Sequence, residues 1–154
     1  DLIRFYLSND VLGVEIGSAT KNIIGIMSGI LDGLGWSSLK GALMTRATNE
    51  VSKLIKALGG DEKTVYGLSH LGDYEATLFS KHSQNRMFGE CFVQKKEYGK
   101  LAEGYYTVKA LRNLGKNYGV ELPICEAVYL ILYEDVPIKE AFGKLFQRSL
   151  KNEF

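Results

Sequence analysis

GSATKNIIGIMSGILDG (17–33) decides the fold class. Ile23, Ile26, Met27 and Ile30 recur at i, i+3, i+4 and i+7, the spacing of one apolar stripe, and predict a helix from about Ala19 to Asp32. The apolar stretch from Ile23 to Leu31 is broken by Gly25, Ser28 and Gly29 and is less than half the roughly 20 residues a membrane helix needs, so no membrane span is expected. Downstream, Asp32-Gly33-Leu34-Gly35 closes this helix. Leu39, Leu43, Ala47, Val51, Leu54, Ile55 and Leu58 then share one face of a long second helix, stopped by Gly59-Gly60. Residues 61–85 read as irregular, with Asp61 able to cap a short turn and GLSHLGD (67–73) too rich in small residues for a long helix. Helical signals resume at 85–95 and at 104–117, where Tyr105, Val108, Leu111 and Leu114 are in register. Pro123 opens a helix at 123–133 and Pro137 a last one at 137–150. Upstream, LIRFYLSNDVLGVEI (2–16) is rich in β-branched and aromatic residues around a Ser8-Asn9-Asp10 turn, and predicts two short strands. The expected fold is therefore all-α over residues 17–154, preceded by two strands with no sheet to join.

Composition narrows the class. The chain has 154 residues, 45% hydrophobic and 24% charged, as expected of one soluble globular domain. Nineteen Lys+Arg against 18 Asp+Glu leave a net charge of +1, without the basic excess that nucleic-acid binding rests on. Two cysteines, Cys91 and Cys125, without further Cys or His at ligand spacing, indicate neither zinc nor a disulfide framework, and a cytoplasmic location fits. Seventeen glycines exceed the roughly eleven that average usage predicts. The chain starts at Asp1 without a leader pattern and looks cut from something longer.

Candidate chemistry is dispersed. GLGWSS (33–38) has G-x-G but no third Gly, and follows a helix rather than a strand, which fails the context of a dinucleotide fingerprint. His70 and His82 lack a Ser or Cys elbow motif and read as solvated or structurally bonded. Lys21 sits where the chain enters the apolar helix. There it either snorkels to water or acts as an acid/base group. Asp73 is either a helix N-cap or a carboxylate facing a site. HSQNR (82–86) gathers a hydroxyl, two amides and a guanidinium, an inventory that suits a phosphate or polyol but also any exposed polar loop.

Six segments in order carry a resemblance: DVLGVEIGSATKNIIGI (10–26), DGLGWSSLKGALMTR (32–46), ALGGDEKTVYGLSHLGD (57–73), SQNRMFG (83–89), AEGYYTVKAL (102–111) and YGVELPICEAVYLILYE (118–134). Together they resemble the C-terminal, substrate-binding domain of NAD(P)-dependent glycerol-3-phosphate dehydrogenase, over essentially the whole chain. The resemblance implies a multi-helix domain of the 6-phosphogluconate dehydrogenase C-terminal-like type, with residues 1–16 as strands left from an N-terminal Rossmann domain. It implies NAD or NADP as cofactor, bound mainly on that N-terminal domain, which is also a partner of this one. It further implies glycerol 3-phosphate and dihydroxyacetone phosphate as substrates, a homodimer, and a supply of glycerol 3-phosphate for glycerophospholipid synthesis.

Carried over position by position, the catalytic lysine of the family's GALKN motif falls on Lys21, here within SATKN, followed by Asn22. The substrate-binding aspartate of GLGD falls on Asp73, and Thr77 matches a threonine near the substrate in part of the family. The S-R-N-R motif falls on Ser83, Gln84, Asn85 and Arg86, with Gln84 also a cofactor position. The second cofactor contact falls on Leu101, Ala102 and Glu103. In that assignment Lys21 and Asp73 are catalytic and Asn22, Thr77, Ser83, Gln84 and Asn85 bind substrate. One departure stands out: an amide at Gln84 cannot make the bidentate charged contact of the family's arginine, and Arg86, Lys81 or a lysine on the nucleotide-binding domain would have to compensate. A helical dimerisation or binding domain that kept the fold without activity is the alternative of a different class; another small phosphorylated or hydroxy-acid alcohol is the alternative substrate. The isolated fragment is expected to be inactive.

Overall fold

A computed structural model describes residues 4–146, and among them the chain forms seven α-helices and no strand. These are α1 (Val11–Gly33), α2 (Lys40–Ala57), α3 (Asp73–Phe79), α4 (Gln84–Val93), α5 (Glu103–Asn117), α6 (Pro123–Tyr133) and α7 (Ile138–Phe146). Helix α1 is the axis of the fold. Every residue from Ile23 to Leu31 is buried, because α2, α3, α4, α5 and α6 all pack around it. A helix apolar on all sides is what such a central position requires. Leu43, Ala47 and Leu54 of α2, Leu78 of α3, Val108 and Leu111 of α5, and Val128 and Ile131 of α6 close the core around Ile26, Met27 and Ile30.

The two strands expected over 2–16 are corrected. Residues 4–10 carry no strand, and residues 11–16 are the first turns of α1; residues 1–3 lie outside the described residues. The physical reason is a cap and two small residues. The Asp10 carboxylate accepts from Gly13 N at 3.0 Å, and also from Asp61 N at 3.1 Å and the Thr64 hydroxyl at 2.6 Å, which pins the helix start to the loop after α2. Gly13 and Gly17 are buried where α1 meets Thr64 and His70.

The signals at other helix ends hold. Asp61 accepts from Lys63 N and caps a short 3₁₀ turn over Glu62–Tyr66. Gly59 ends α2 with φ +88°, a conformation that favours glycine. Pro123 occupies the first turn of α6, whose orphan N–H groups at Ile124 and Cys125 donate to the buried Glu50 carboxylate of α2 at 2.9 and 3.1 Å. The last helix is described only to Phe146, so the remainder of the expected 137–150 element lies outside the described residues. The region read as irregular is more ordered than expected: one turn of π-helix over Leu68–Gly72 runs straight into α3. Among the described residues no helix is long and apolar enough to cross a membrane.

Candidate functional site

Four separate elements bring Lys21, Asn22, Asp73, Asn85 and Glu103 together. Lys21 and Asn22 leave α1 side by side, at the point where its surroundings change from solvent to core. The Lys21 ammonium donates to the Asp73 carboxylate across a contact of 52 residues in sequence; the two side chains keep 27% and 33% exposure, enough for a ligand to reach them. Asp73 is not an N-cap. It is the first residue of α3, and its carboxylate faces the lysine instead.

The amides form the neighbouring wall. Asn85 Nδ2 donates to Asn22 Oδ1 at 3.0 Å, and Gly104 N donates to Asn85 Oδ1 at 2.9 Å. Asn22 Nδ2 in turn donates to Glu103 Oε2 at 3.2 Å. The Asn85 oxygen therefore points at α5, and the Asn22 amide protons toward Glu103. A Cβ at Gly104 would lie 2.6 Å from the Asn22 carbonyl oxygen, so only glycine lets α5 approach this closely. Thr77 lies one turn along α3 from Asp73. A Cβ at Gly25 would meet Thr77 Cγ2 at 3.2 Å and Asn85 Cβ at 3.1 Å, which places both on the same stretch of α1.

Ser83 is the N-cap of α4; its hydroxyl accepts from Arg86 N at 3.3 Å. Gln84 follows, exposed, with Oε1 accepting from the Tyr98 hydroxyl at 2.5 Å. Sequence reasoning missed Tyr98, and nothing local in the sequence marks it. Leu101 is 64% exposed just ahead of α5. Arg86, one of the groups expected to compensate for Gln84, is engaged within the domain: its guanidinium donates to Asp32 Oδ2 at 2.6 Å, Glu90 Oε2 at 3.0 Å and the Ser80 carbonyl at 2.8 Å. Burial would raise the Asp32 carboxyl, but hydrogen bonds from Lys40, Ser37 and Arg86 outweigh it and hold the group below the usual carboxylate range. Arg86 and Lys40 thus tie α1, α2 and α4 together from within. Lys81 is exposed.

His82 is exposed, whereas His70 is wholly buried. Burial pushes the His70 ring down to about 4, against a hydrogen bond to the Gly17 carbonyl and the Asp73 charge, both of which act upward. Between about 6.5 and 4 the unfolded chain therefore binds a proton that the folded chain excludes, and stability falls as pH is lowered through that window. The expected loss from pH 7 to pH 5 is about 2 kcal/mol. Urea denaturation of wild type and His70→Phe at the two pH values checks this; equal losses in both proteins would refute it. Both cysteines are free, and no cluster of metal-ligating residues occurs among the described residues.

Comparison with known proteins identifies the family. The family model described as NAD-dependent glycerol-3-phosphate dehydrogenase C-terminus matches residues 10–143. A glycerol-3-phosphate dehydrogenase (NAD(P)+) of Staphylococcus epidermidis is 43% identical over 161 residues, covering 99% of this chain and 48% of that protein. One of Thermotoga sp. strain RQ2 is 40% identical over 162 residues, covering 100% of this chain and 50% of its own length. The crystal structure of glycerol-3-phosphate dehydrogenase from Coxiella burnetii superposes with a TM-score of 0.87 at 33% identity, over 94% of this chain and 47% of that one. The yeast enzyme from Saccharomyces cerevisiae, at 23% identity and a TM-score of 0.74, shares the fold. The chain spans about half the length of the curated relatives it matches. It belongs to the NAD-dependent glycerol-3-phosphate dehydrogenase family, whose C-terminal domain it matches.

Proposed function

We propose that this chain is the substrate-binding, catalytic-residue half of a glycerol-3-phosphate dehydrogenase, interconverting glycerol 3-phosphate and dihydroxyacetone phosphate when joined to a nucleotide-binding half. The observation that carries the proposal is the Lys21–Asp73 pair standing beside the Asn22–Asn85 pair at a part-open surface. Reduction of a ketone needs a proton donor on its oxygen, and the reverse reaction needs a base for the hydroxyl proton. The Lys21 amine serves both directions, with Asp73 fixing its position. Asn22 and Asn85 orient the three-carbon chain by hydrogen bonds. Ser83 and Gln84, at the N-terminus of α4, face the phosphate, where helix dipole and unpaired N–H groups favour an anion. Alone, the chain is inactive. Residues 1–10, which precede α1, belong in this proposal to the junction with the nucleotide-binding half, and the working molecule is a cytoplasmic homodimer.

The cofactor, NAD or NADP, supplies or accepts the hydride. Gln84, Leu101 and Glu103 fit one edge of it: an amide, an exposed apolar side chain and a carboxylate, all open to solvent and adjoining the Asn22–Asn85 wall. The Glu103 carboxylate also holds Asn22, so a contact there bears on the substrate wall as well.

The test is NADH and NADPH oxidation with dihydroxyacetone phosphate, using the chain joined to its nucleotide-binding half. Turnover is expected for the joined protein and none for the chain alone. Gln84→Arg should lower KM for the ketone roughly tenfold, the worth of one charged hydrogen bond. Absence of turnover in both forms refutes the proposal. Turnover only in Gln84→Arg favours the alternative of a domain that kept its fold after losing activity, which the commitment of Arg86 to Asp32 makes concrete.

A further inference from the structure

We propose that His70 is a positioning residue for the reaction: its buried ring, set on the Gly17 carbonyl, fixes the π-turn that carries Asp73 so that the carboxylate meets Lys21. The proposal rests on the catalytic assignment above. It starts from a side chain that the mechanism does not use. His70 is 0% exposed, its Nδ1 lies 3.3 Å from the Gly17 carbonyl oxygen, and its Nε2 is buried without a partner. A carbonyl only accepts, so Nδ1 carries the proton and Nε2 is a bare lone pair. Leaving such an atom unpaired in the interior is unfavourable, so the ring is not held here by satisfying its own polar groups.

The placement of the contact shows what that is. Gly17 precedes Lys21 by one turn of α1, and in an α-helix its carbonyl is the acceptor for the Lys21 backbone N–H. His70 precedes Asp73 by three residues across the π-turn Leu68–Gly72. The two segments thus meet at two rungs, His70 on Gly17 and Asp73 on Lys21, each about one turn apart on its own helix. The first rung is tight: a Cβ at Gly17 would stand 3.0 Å from His70 Cβ and 3.2 Å from Nδ1. On its other side the ring packs on the wholly buried Tyr74 at 4.0 Å between centroids, so Asp73 is bracketed by two anchored aromatic rings. A turn wound i to i+5 has one residue more than an α-turn, and one residue of slippage would swing Asp73 about 100° around α3, away from the lysine. His70 prevents that slip. The Lys21–Asp73 pair, partly open to water, could not hold the turn by itself, because water competes for both partners.

The experiment compares His70→Phe, which keeps the ring and loses Nδ1, with His70→Asn, whose side-chain amide reproduces the donor, in the joined two-domain protein. His70→Phe should lower kcat at least tenfold, with KM for dihydroxyacetone phosphate changed less than about twofold, since misplacement of a catalytic group by about 1 Å has this order of effect. His70→Asn should stay within about threefold of wild type. Gly17→Ala approaches the contact from the other side: it gains helix propensity yet pushes on the ring, so a kcat loss without loss of stability separates positioning from mere folding. A second readout is the Lys21 ammonium signal in 15N NMR, slowed in exchange by its carboxylate partner, which should vanish in His70→Phe and persist in His70→Asn. A His70→Phe enzyme with kcat within twofold and an intact ammonium signal overturns the proposal, as does an equal kcat loss in His70→Asn. If the joined protein has no turnover at all, the catalytic assignment fails, while the ammonium signal still decides the positioning of Asp73.

Discussion

Lys21→Ala is expected to lower kcat for dihydroxyacetone phosphate reduction by roughly 10²- to 10⁴-fold in the joined two-domain protein, the usual worth of a placed acid/base group. Steady-state NADH or NADPH oxidation measures it. The expectation follows from the neighbourhood of Lys21: among the described residues, the groups hydrogen-bonded around the site are the Asp73 and Glu103 carboxylates and the Asn22 and Asn85 amides. An amide is neither acid nor base, so Asn22 and Asn85 cannot take over the proton, and the Lys21 amine is the group that serves as donor in one direction and acceptor in the other. KM should change less than kcat, because Asn22 and Asn85 remain to orient the substrate. Asp73→Asn should give a smaller loss, of about tenfold to a hundredfold, since the amine stays and only its position loosens. A loss below tenfold for Lys21→Ala would remove it from the proton-transfer role.

The parts of this site that are legible in the sequence are those written locally. Lys21 and Asn22 are adjacent, the turn before Asp73 is marked by glycines, and HSQNR (82–86) is one compact polar run. The partners that give the site its shape are not local: Asn22 meets Glu103 across 81 residues, Asn85 meets Asn22 across 63, and Gln84 meets Tyr98 across 14, most of them α4. The same division explains the fold. Gly59-Gly60, Asp61 and Pro123 end or begin elements by local chemistry, and those ends are where the sequence puts them. Residues 11–16 carry strand-forming side chains; the Asp10 cap on Gly13 N, anchored from across the chain by Asp61 and Thr64, and the packing of Gly13 and Gly17 on Thr64 and His70 turn them into helix. A single π-turn has no compositional signature, so the ordered stretch at 68–72 was unreadable in advance.

The excess of glycine has its largest consequence where α1 crosses α4. Gly25, Gly29 and Gly33 repeat every four residues and form one small-residue face; Gly89 answers from α4. A Cβ at Gly29 would lie 1.8 Å from the Arg86 carbonyl oxygen and 2.8 Å from Glu90 N, and one at Gly89 would lie 2.1 Å from the Ile26 carbonyl oxygen. These obstacles are backbone, which cannot rotate away as a side chain can, so the helices must separate. Overpacking ordinarily costs about 1–3 kcal/mol and more where relaxation is blocked. Gly29→Ala is therefore expected to destabilise the protein by about 3 kcal/mol or more, and Gly29→Val to abolish folding at 37 °C, since a domain holds only about 5–15 kcal/mol in total. Gly41→Ala supplies the contrast: nothing lies within 4 Å of its Cβ, and at this exposed position of α2 it should be neutral or stabilising by up to about 1 kcal/mol. Urea denaturation compares the three variants, and a Gly29→Ala protein within 1 kcal/mol of wild type would show that the crossing relaxes freely. The same crossing sets the site, because Asn85 precedes Arg86 on α4: parting the helices draws Asn85 from Asn22 and opens their 3.0 Å hydrogen bond. Where Gly29→Ala still folds at low temperature, KM for dihydroxyacetone phosphate should rise at least tenfold.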